Sequence, residues 1–426
     1  MSVAAALARL RDAGLLLRGR SARDVHDALA DVLDAWSAPT SKWQQQLAKE
    51  LPSATGFSPA VVAEGLARGL ARYDGAALRA LVRSELGGPE HLDALHDERI
   101  LGFETTATLL AGAIPLPGFV AVLAPLVLRS PVLVKLSAHD PVTVPLFVRS
   151  LAARDPLLGA CVEIADFRRD DVDSLEALCR APCVAVTGSD AAVAAIAARV
   201  QPSQRCVTSG HRFSLALLGP GATHASALTR TAAALALDVA LWDQLGCLSP
   251  VSIHVVDPDP HAADRVARAL ADALAAAEIR WPRGHVEFAA AAAAARERAE
   301  AEMRAAAGDR VDVFAAADAQ WTVVREADAG LRAAPLHRFV RVHPNVDLDV
   351  ALAAIGPHAM QLAGVALAGF GDASEKIAME LARIGASRVC APGTLQSPPL
   401  GWPRDGRPVL LPLARSCAIE IAAPGA

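Results

Sequence analysis

From about residue 98 onward, short apolar runs alternate with alanine-rich helical stretches, and this alternation restricts the fold more than any other feature. PVLVKLS (131–137) reads as a strand and VTVPLFVRSLAAR as the helix after it. CVAVTGS (183–189), RFSLALLG (212–219) and VSIHVVDP (251–258) read the same way, each followed by a helical stretch. Strands that are apolar throughout suit a sheet covered on both faces. The pattern therefore predicts an α/β fold with a largely parallel sheet. Residues 1–95 differ. ARDVHDALADVLDAW and AVVAEGLARGLARYDGAALRALVRSEL carry apolar residues at three- and four-residue steps, which predicts surface helices. Ser58 and Pro59 form an N-cap and first-turn pair for the second run. Residues 288–306 read as a low-complexity Ala/Glu/Arg helix with one face in solvent. The Pro- and Gly-rich end of the chain reads as an irregular tail packed on the body.

Composition narrows the class. The chain has 426 residues, 53% hydrophobic and 20% charged, which excludes general disorder and leaves room for two or three domains. A net charge of −5 excludes a general nucleic-acid coat. Seven cysteines run from Cys161 to Cys417 without a CxxC pair, arguing against a zinc ribbon, a thioredoxin motif or a disulfide framework. The odd count fits a reducing cytoplasm, which is the expected location. The apolar stretches at the N-terminus are short and broken by Arg, unlike a signal peptide. Residues 105–128 carry no charge and have the length of a membrane span. They also contain Gly112, Pro115, Pro117, Gly118 and Pro125, which favour a buried strand, a loop and a packed helix instead.

The sharpest local feature is DQLGCLSP, residues 243–250. Cys247 follows a glycine in a turn that connects a helix to a strand. Backbone N–H groups in such a turn lower a thiol pKa and can later hold an oxyanion. By residue type alone, Cys247 reads more readily as a small core residue than as a nucleophile. Lys135 closes a strand, where it is either a ligand contact or an ordinary solvated lysine. Thr187, Gly188 and Ser189 precede a helix. Their N–H groups suit a pyrophosphate, and Ser189 also suits a plain N-cap. There is no GxGxxG, Gly-x-Ser-x-Gly or Walker loop. Asp257, Asp259 and His261 are interleaved with Pro258 and Pro260 and read as a turn, not a metal site. No metal is expected.

Four segments share one resemblance. DQLGCLSP, TSGHRFSLALLG (208–219), TGFSPAVVAEGL (55–66) and PGTLQSPPLGWPRDGRP (392–408) resemble segments of the bacterial long-chain acyl-CoA reductases. That is the bioluminescence fatty-acid reductase family of the aldehyde dehydrogenase superfamily. The likeness implies an aldehyde-dehydrogenase-like α/β fold with a helical N-terminal region (1–95) and a nicotinamide-cofactor domain (96–210). A catalytic domain (211–375) and a C-terminal segment folding back on the body (376–426) would follow.

It implies Cys247 as nucleophile and NADPH-dependent reduction of an acyl thioester to an aldehyde through an S-acyl cysteine. Hydrolytic relatives carry a glutamate in the strand leading to the nucleophile, whereas Val207-Thr208-Ser209-Gly210-His211-Arg212 has no carboxylate. His211 would handle a proton or serve a structural role. Lys135 would reach the adenosine ribose, with Ser137 and His139 beside it. Ala138 stands where NAD-preferring relatives have glutamate, which favours NADPH. Thr187, Gly188 and Ser189 complete the cofactor set. Ala113 stands where the family has the asparagine of the oxyanion hole. Smaller departures are Leu245, His139 and Cys417.

The expected partners are an acyl thioester, on coenzyme A or a carrier, and further copies of the chain. An acyl-donating enzyme is a further candidate partner. No nucleic acid and no integral membrane span are expected. Two other readings stay open: a Cys-acylated acyltransferase, and a degenerate non-catalytic member acting as a partner protein.

Overall fold

The structure, a computed structural model, describes residues 2–93, 98–168 and 170–418. Its strands, in chain order, are β1 Glu98–Gly102, β2 Thr106–Leu109, β3 Val132–Lys135, β4 Val162–Ala165, β5 Cys183–Thr187 and β6 Arg205–Ser209. They continue with β7 Phe213–Leu218, β8 Pro250–Val256, β9 Asp312–Ala315, β10 Thr322–Arg325 and β11 Phe339–Asn345. The last three are β12 Leu362–Ala368, β13 Arg388–Cys390 and β14 Ala414–Ala418. The chain divides into two compact units. One comprises Met1–Thr55, Gly69–His211 and Pro399–Ala426, the other Gly56–Arg68 and Arg212–Pro398.

The first unit holds a five-stranded sheet in the order β4-β3-β2-β5-β6. All four pairings are parallel, as the strand–helix alternation predicts. The uncharged 105–128 segment supplies β2, a turn and the helix Leu116–Val127. That helix is a core element because aromatic rings meet it. Phe119 lies edge-on to Trp36 at 4.8 Å and tilted against Phe147 at 4.7 Å, while the Trp36 indole N–H donates to Ser150 Oγ at 2.8 Å. No helix among the described residues is long and apolar enough to cross a membrane.

The periodic run over 60–86 forms two helices, Pro59–Leu70 and Gly75–Leu86. Asp74 causes the break by capping the second, accepting the Ala77 N–H at 2.7 Å. Ser58 caps the first, through the Val61 N–H. Part of the predicted irregular tail is regular: β14 pairs antiparallel with β1 in a two-stranded ribbon. Ahead of it, Glu85 accepts the N–H groups of Val409, Leu410 and Leu411, holding the tail to the helix Gly75–Leu86.

The second unit holds a seven-stranded sheet in the order β13-β12-β7-β8-β11-β10-β9, parallel except for β9 against β10. Its centre is unusually polar. His254 on β8 and His343 on β11 stand opposite each other in the ladder, fully buried, with rings stacked at 4.9 Å. The His343 Nδ1–H donates to the Asp328 carbonyl at 3.0 Å. Burial drives both imidazoles down from 6.5, His254 to about 3 and His343 to about 4. A depressed imidazole contributes stability above its ordinary range, and that contribution is lost as pH falls towards the folded value. The thermal midpoint of this unit should therefore fall steadily from pH 7 to pH 4.5. The double variant His254→Leu/His343→Leu should flatten that slope, measured by scanning calorimetry at several pH values.

Candidate active site

The segment before β8 runs through a left-handed turn. Trp242, Asp243 and Gln244 have φ of 54°, 49° and 65°. Left-handed backbone costs a residue with a side chain roughly 1–2 kcal/mol, so three in succession need external support. A second left-handed run, Leu336-His337-Arg338, supplies it. The Arg338 guanidinium, 1% exposed, donates to Asp243 Oδ1 from Nη2 at 2.6 Å and from Nε at 3.1 Å. Its Nη1 donates to Glu278 Oε2 at 2.6 Å. Asp243 Oδ2 accepts the Gly284 N–H at 2.9 Å. Gln244 completes the frame. Its Nε2 donates to the carbonyls of Pro250 and Phe339, and its Oε1 accepts the Phe339 N–H. Trp242 is buried on the helix Pro59–Leu70, where a Cβ at Gly65 would lie 2.3 Å from the indole. Only glycine permits that approach.

Cys247 follows on this frame, half-buried. Its carbonyl accepts the Ser214 hydroxyl at 2.7 Å. The residues after it are held from the tail side. Gln396 Nε2 donates to Ser249 Oγ at 2.6 Å. Asp238, fully buried, accepts the N–H groups of Gly393 at 2.6 Å and Leu395 at 3.0 Å. Burial pushes the Asp238 carboxyl up to about 7, against the pull of those N–H donors. The PGTLQS segment thus holds the turn after Cys247 through the Gln396 side chain and the preceding helix, at Asp238, through backbone N–H groups. Cys206 and Cys390 are half-buried as Cys247 is, and Cys417 is exposed. Cys161, at the end of the helix Pro156–Ala160, and Cys183 on β5 are buried, and burial pushes both up to about 12. Cys179 and Cys206 are raised for the same reason, as is Cys390 in the second unit.

In the first unit the sheet order sets β3 and β5 on either side of β2. Their C-terminal ends carry Lys135 and Thr187. The turn after β2, with Gly112 at φ 83° and Ala113, emerges between them. A Cβ at Gly188 would come 3.9 Å from that of Ala111, so the β2 and β5 turns adjoin. Lys135, Ala113, Thr187, Gly188 and Ser189 therefore share one sheet edge, the end at which open parallel sheets take ligands.

Lys135 Nζ lies 5.0 Å from the Phe167 ring centroid. Ser137 spends its hydroxyl locally, accepting the His139 N–H at 3.1 Å, in a turn that leaves His139 exposed. Ser189 caps the helix Asp190–Ala197 through the Ala192 N–H. Asp190 Oδ1 accepts the His211 N–H at 2.7 Å. This is a carboxylate that the fold, not the local sequence, brings to the 207–212 stretch. Ala113 is buried and offers no side-chain donor.

Ser214, Asp243, Gln244 and Gln396 lie in the segments that carry the resemblance, with no role assigned from sequence, and Asp238 and Arg338 lie outside those segments. Asp243 and Gln244 stand out as polar residues between apolar neighbours, but their partner Arg338 lies 95 residues away with no local mark. Breaking a buried pair by removing one partner costs about 3–5 kcal/mol, because the other charge stays buried. Arg338→Met should lower unfolding stability by about that amount. Adding Asp243→Leu should recover part of the loss, a coupling readable in denaturant titrations of the single and double variants.

The acyl-CoA reductase (LuxC) family model matches residues 19–416. No curated protein matches the sequence significantly. Three solved structures illustrate the fold. A putative aldehyde dehydrogenase from Burkholderia cenocepacia is 14% identical with a TM-score of 0.74, covering 98% of this chain and 91% of that one. The putative aldehyde dehydrogenase PutA from Anabaena variabilis is 15% identical with a TM-score of 0.70, covering 99% and 94%. The NADP-dependent glyceraldehyde-3-phosphate dehydrogenase from Bacillus halodurans C-125, complexed with NADP, is 11% identical with a TM-score of 0.71, covering 97% and 90%. At these identities the likeness establishes the aldehyde-dehydrogenase-like fold. Because the family model spans nearly the whole chain and includes the Cys247 turn, this protein belongs to the acyl-CoA reductase (LuxC) family, aldehyde-forming reductases of acyl-CoA.

Proposed function

We propose that the chain reduces an acyl thioester to an aldehyde with NADPH, through an S-acyl intermediate on Cys247. The observation that carries this reading is the half-buried Cys247 thiol on a turn whose backbone is fixed on both sides. In the proposed cycle the Cys247 thiolate attacks the thioester carbonyl. The bond from that carbon to the coenzyme A sulfur breaks, and coenzyme A leaves as a thiolate that takes up a proton. A bound nicotinamide supplies the hydride that reduces the acyl carbon. The resulting thiohemiacetal then releases the aldehyde as its bond to Cys247 breaks, restoring the thiolate. In balance, acyl-CoA, NADPH and a proton yield aldehyde, coenzyme A and NADP⁺.

Reduction is favoured over hydrolysis because residues 207–212 carry no carboxylate to activate water. Asp190, brought close by the fold, is committed through Oδ1 to the His211 N–H. With Ala113 lacking a side-chain donor, the reading assigns oxyanion stabilisation to backbone N–H groups. His211 is placed in proton handling by resemblance alone.

The residues at the first unit's sheet edge fit a dinucleotide. Lys135 offers a cation at a strand end, and the helix Asp190–Ala197 offers N–H groups beyond the small residue Gly188. The carboxylate of Asp190 at that helix start is turned to the His211 N–H. Ala138 and His139 are exposed and place no negative charge beside Lys135, which suits a 2′-phosphate. Lys135 would pair with that phosphate, and Ser137 would fix the turn presenting His139.

Two experiments test this reading. Cys247→Ala should lower aldehyde formation by about four orders of magnitude or more. The parent protein given acyl-CoA without NADPH should gain one acyl group at Cys247 by mass spectrometry. Full activity in the variant, or labelling at another cysteine, would overturn the assignment. For the cofactor, Ala138→Glu should reduce kcat/KM for NADPH about tenfold or more, a change equal to about 1.4 kcal/mol. The value for NADH should be far less affected. Equal losses with both cofactors would count against the 2′-phosphate assignment.

A further inference from the structure

We propose that Ser214 is a positioning residue for the nucleophile. It would set the backbone of Cys247 through one hydroxyl, carried by a residue that two β-bulges flank. This rests on the reading of Cys247 given above.

Ser214 is fully buried on β7, the strand between β12 and β8. The ladder slips on both sides of it. Towards β12, Phe213 pairs with Leu362 and Ser214 with Gly364, leaving Ala363 as an extra residue. Towards β8, Ser214 pairs with Pro250 and Leu215 with Ser252, leaving Val251 as an extra residue. A bulge re-aims side chains and interrupts ladder hydrogen bonds, and bulges gather next to active sites. Here two of them flank one serine.

The hydroxyl fills the interruption. Ser214 Oγ accepts the Gly364 N–H at 3.0 Å and donates to the Cys247 carbonyl at 2.7 Å. The opposed strand residue, Pro250, has no N–H to give. Gly364 permits the approach. A Cβ there would lie 3.1 Å from Ser214 Oγ, 3.0 Å from Leu248 Cδ2 and 3.1 Å from Leu395 Cδ2. One hydroxyl thus connects β12 to the peptide immediately after the thiol. Fixing that carbonyl fixes ψ of Cys247 and the peptide plane between Cys247 and Leu248. It thereby limits where the sulfur sits relative to neighbouring N–H groups. A displacement of about 1 Å in a reacting group costs about a hundredfold in rate.

The test is acyl transfer in a single turnover without NADPH. Full-length protein is mixed with octanoyl- or hexadecanoyl-CoA, and released coenzyme A is quantified by chromatography. Ser214→Ala should slow transfer at saturating acyl-CoA about 10- to 100-fold. The half-saturating acyl-CoA concentration should stay within about twofold, because uniform binding is untouched. Ser252→Ala is the structural control. It removes a buried hydroxyl on β8 that lacks a hydrogen-bond partner and should leave the rate at the parental level. Should Ser214→Ala fail to fold, Ser214→Cys, a weaker donor of similar size, is read in the same way. A parental rate in the Ser214 variant would overturn the proposal, as would an equal loss in the Ser252 control. Parental coenzyme A release by Cys247→Ala would instead overturn the nucleophile assignment itself.

Discussion

The buried ion pair between Arg338 and Asp243 is the constraint on which the second unit's chemistry depends. It ties together two left-handed three-residue runs that neither segment would adopt alone. Six residues with side chains at positive φ represent a cost on the order of ten kcal/mol by the usual steric penalty. A buried ion pair gives little net stability against apolar packing, but it is costly to break. Its value here lies in geometry. The guanidinium meets Asp243, Glu278 and the Ala240 carbonyl together, so the chain leaving its helix can turn in only one way. Gln244 then matches the turn to β11 with two hydrogen bonds at Phe339 and to β8 with one at Pro250.

A second support comes from the end of the chain. The 393–396 segment reaches Asp238 and Ser249 through backbone N–H groups and one glutamine. Asp238 lies near the end of the helix Ala225–Ala240, and Ser249 follows the thiol by two residues. Helix, turn and tail are thus joined, with Ser249 and Asp243 on opposite sides of Cys247 in sequence. Glycine is needed where a buried side chain lies directly against the backbone. Gly65 lies flat under Trp242, and Gly364 admits Ser214, each at a distance no Cβ tolerates without displacement.

The first unit solves a different problem. Its parallel sheet brings the ends of β3 and β5 to one edge, flanking the turn after β2, although Lys135 and Thr187 are far apart in the chain. The helices Ala22–Ser37, Leu116–Val127 and Thr143–Arg154 hold this sheet through the Trp36, Phe119 and Phe147 cluster. The resemblance implies Asn where this chain has Ala113, a buried residue with no side-chain donor. The carboxylate of Asp190 enters the neighbourhood of His211 only through folding. It does so as an acceptor for a backbone N–H, not as a base aimed at water.

Much of this was legible in the sequence. Alternating apolar strands and alanine-rich helices encode a parallel α/β fold, because periodicity reflects local burial. The prolines and glycines of 105–128 mark a packed segment, and Ser58-Pro59 marks a helix start. DQLGCLSP and the PPLGW tail point to a family because they are contiguous motifs. What the sequence left open depends on distant pairs. The break at Asp74 needed capping geometry, and the strand β14 needed β1 as its partner. Arg338 looks like an ordinary residue along the chain, and the motifs that contain Ser214 and Gln396 do not show what those two side chains meet. They acquire roles only when the sheet sets them against residues 33 to 147 positions away. Local propensity determines which segments become strands and helices. Only tertiary packing decides which buried polar group meets which, because that depends on long-range register and not on neighbours in the chain.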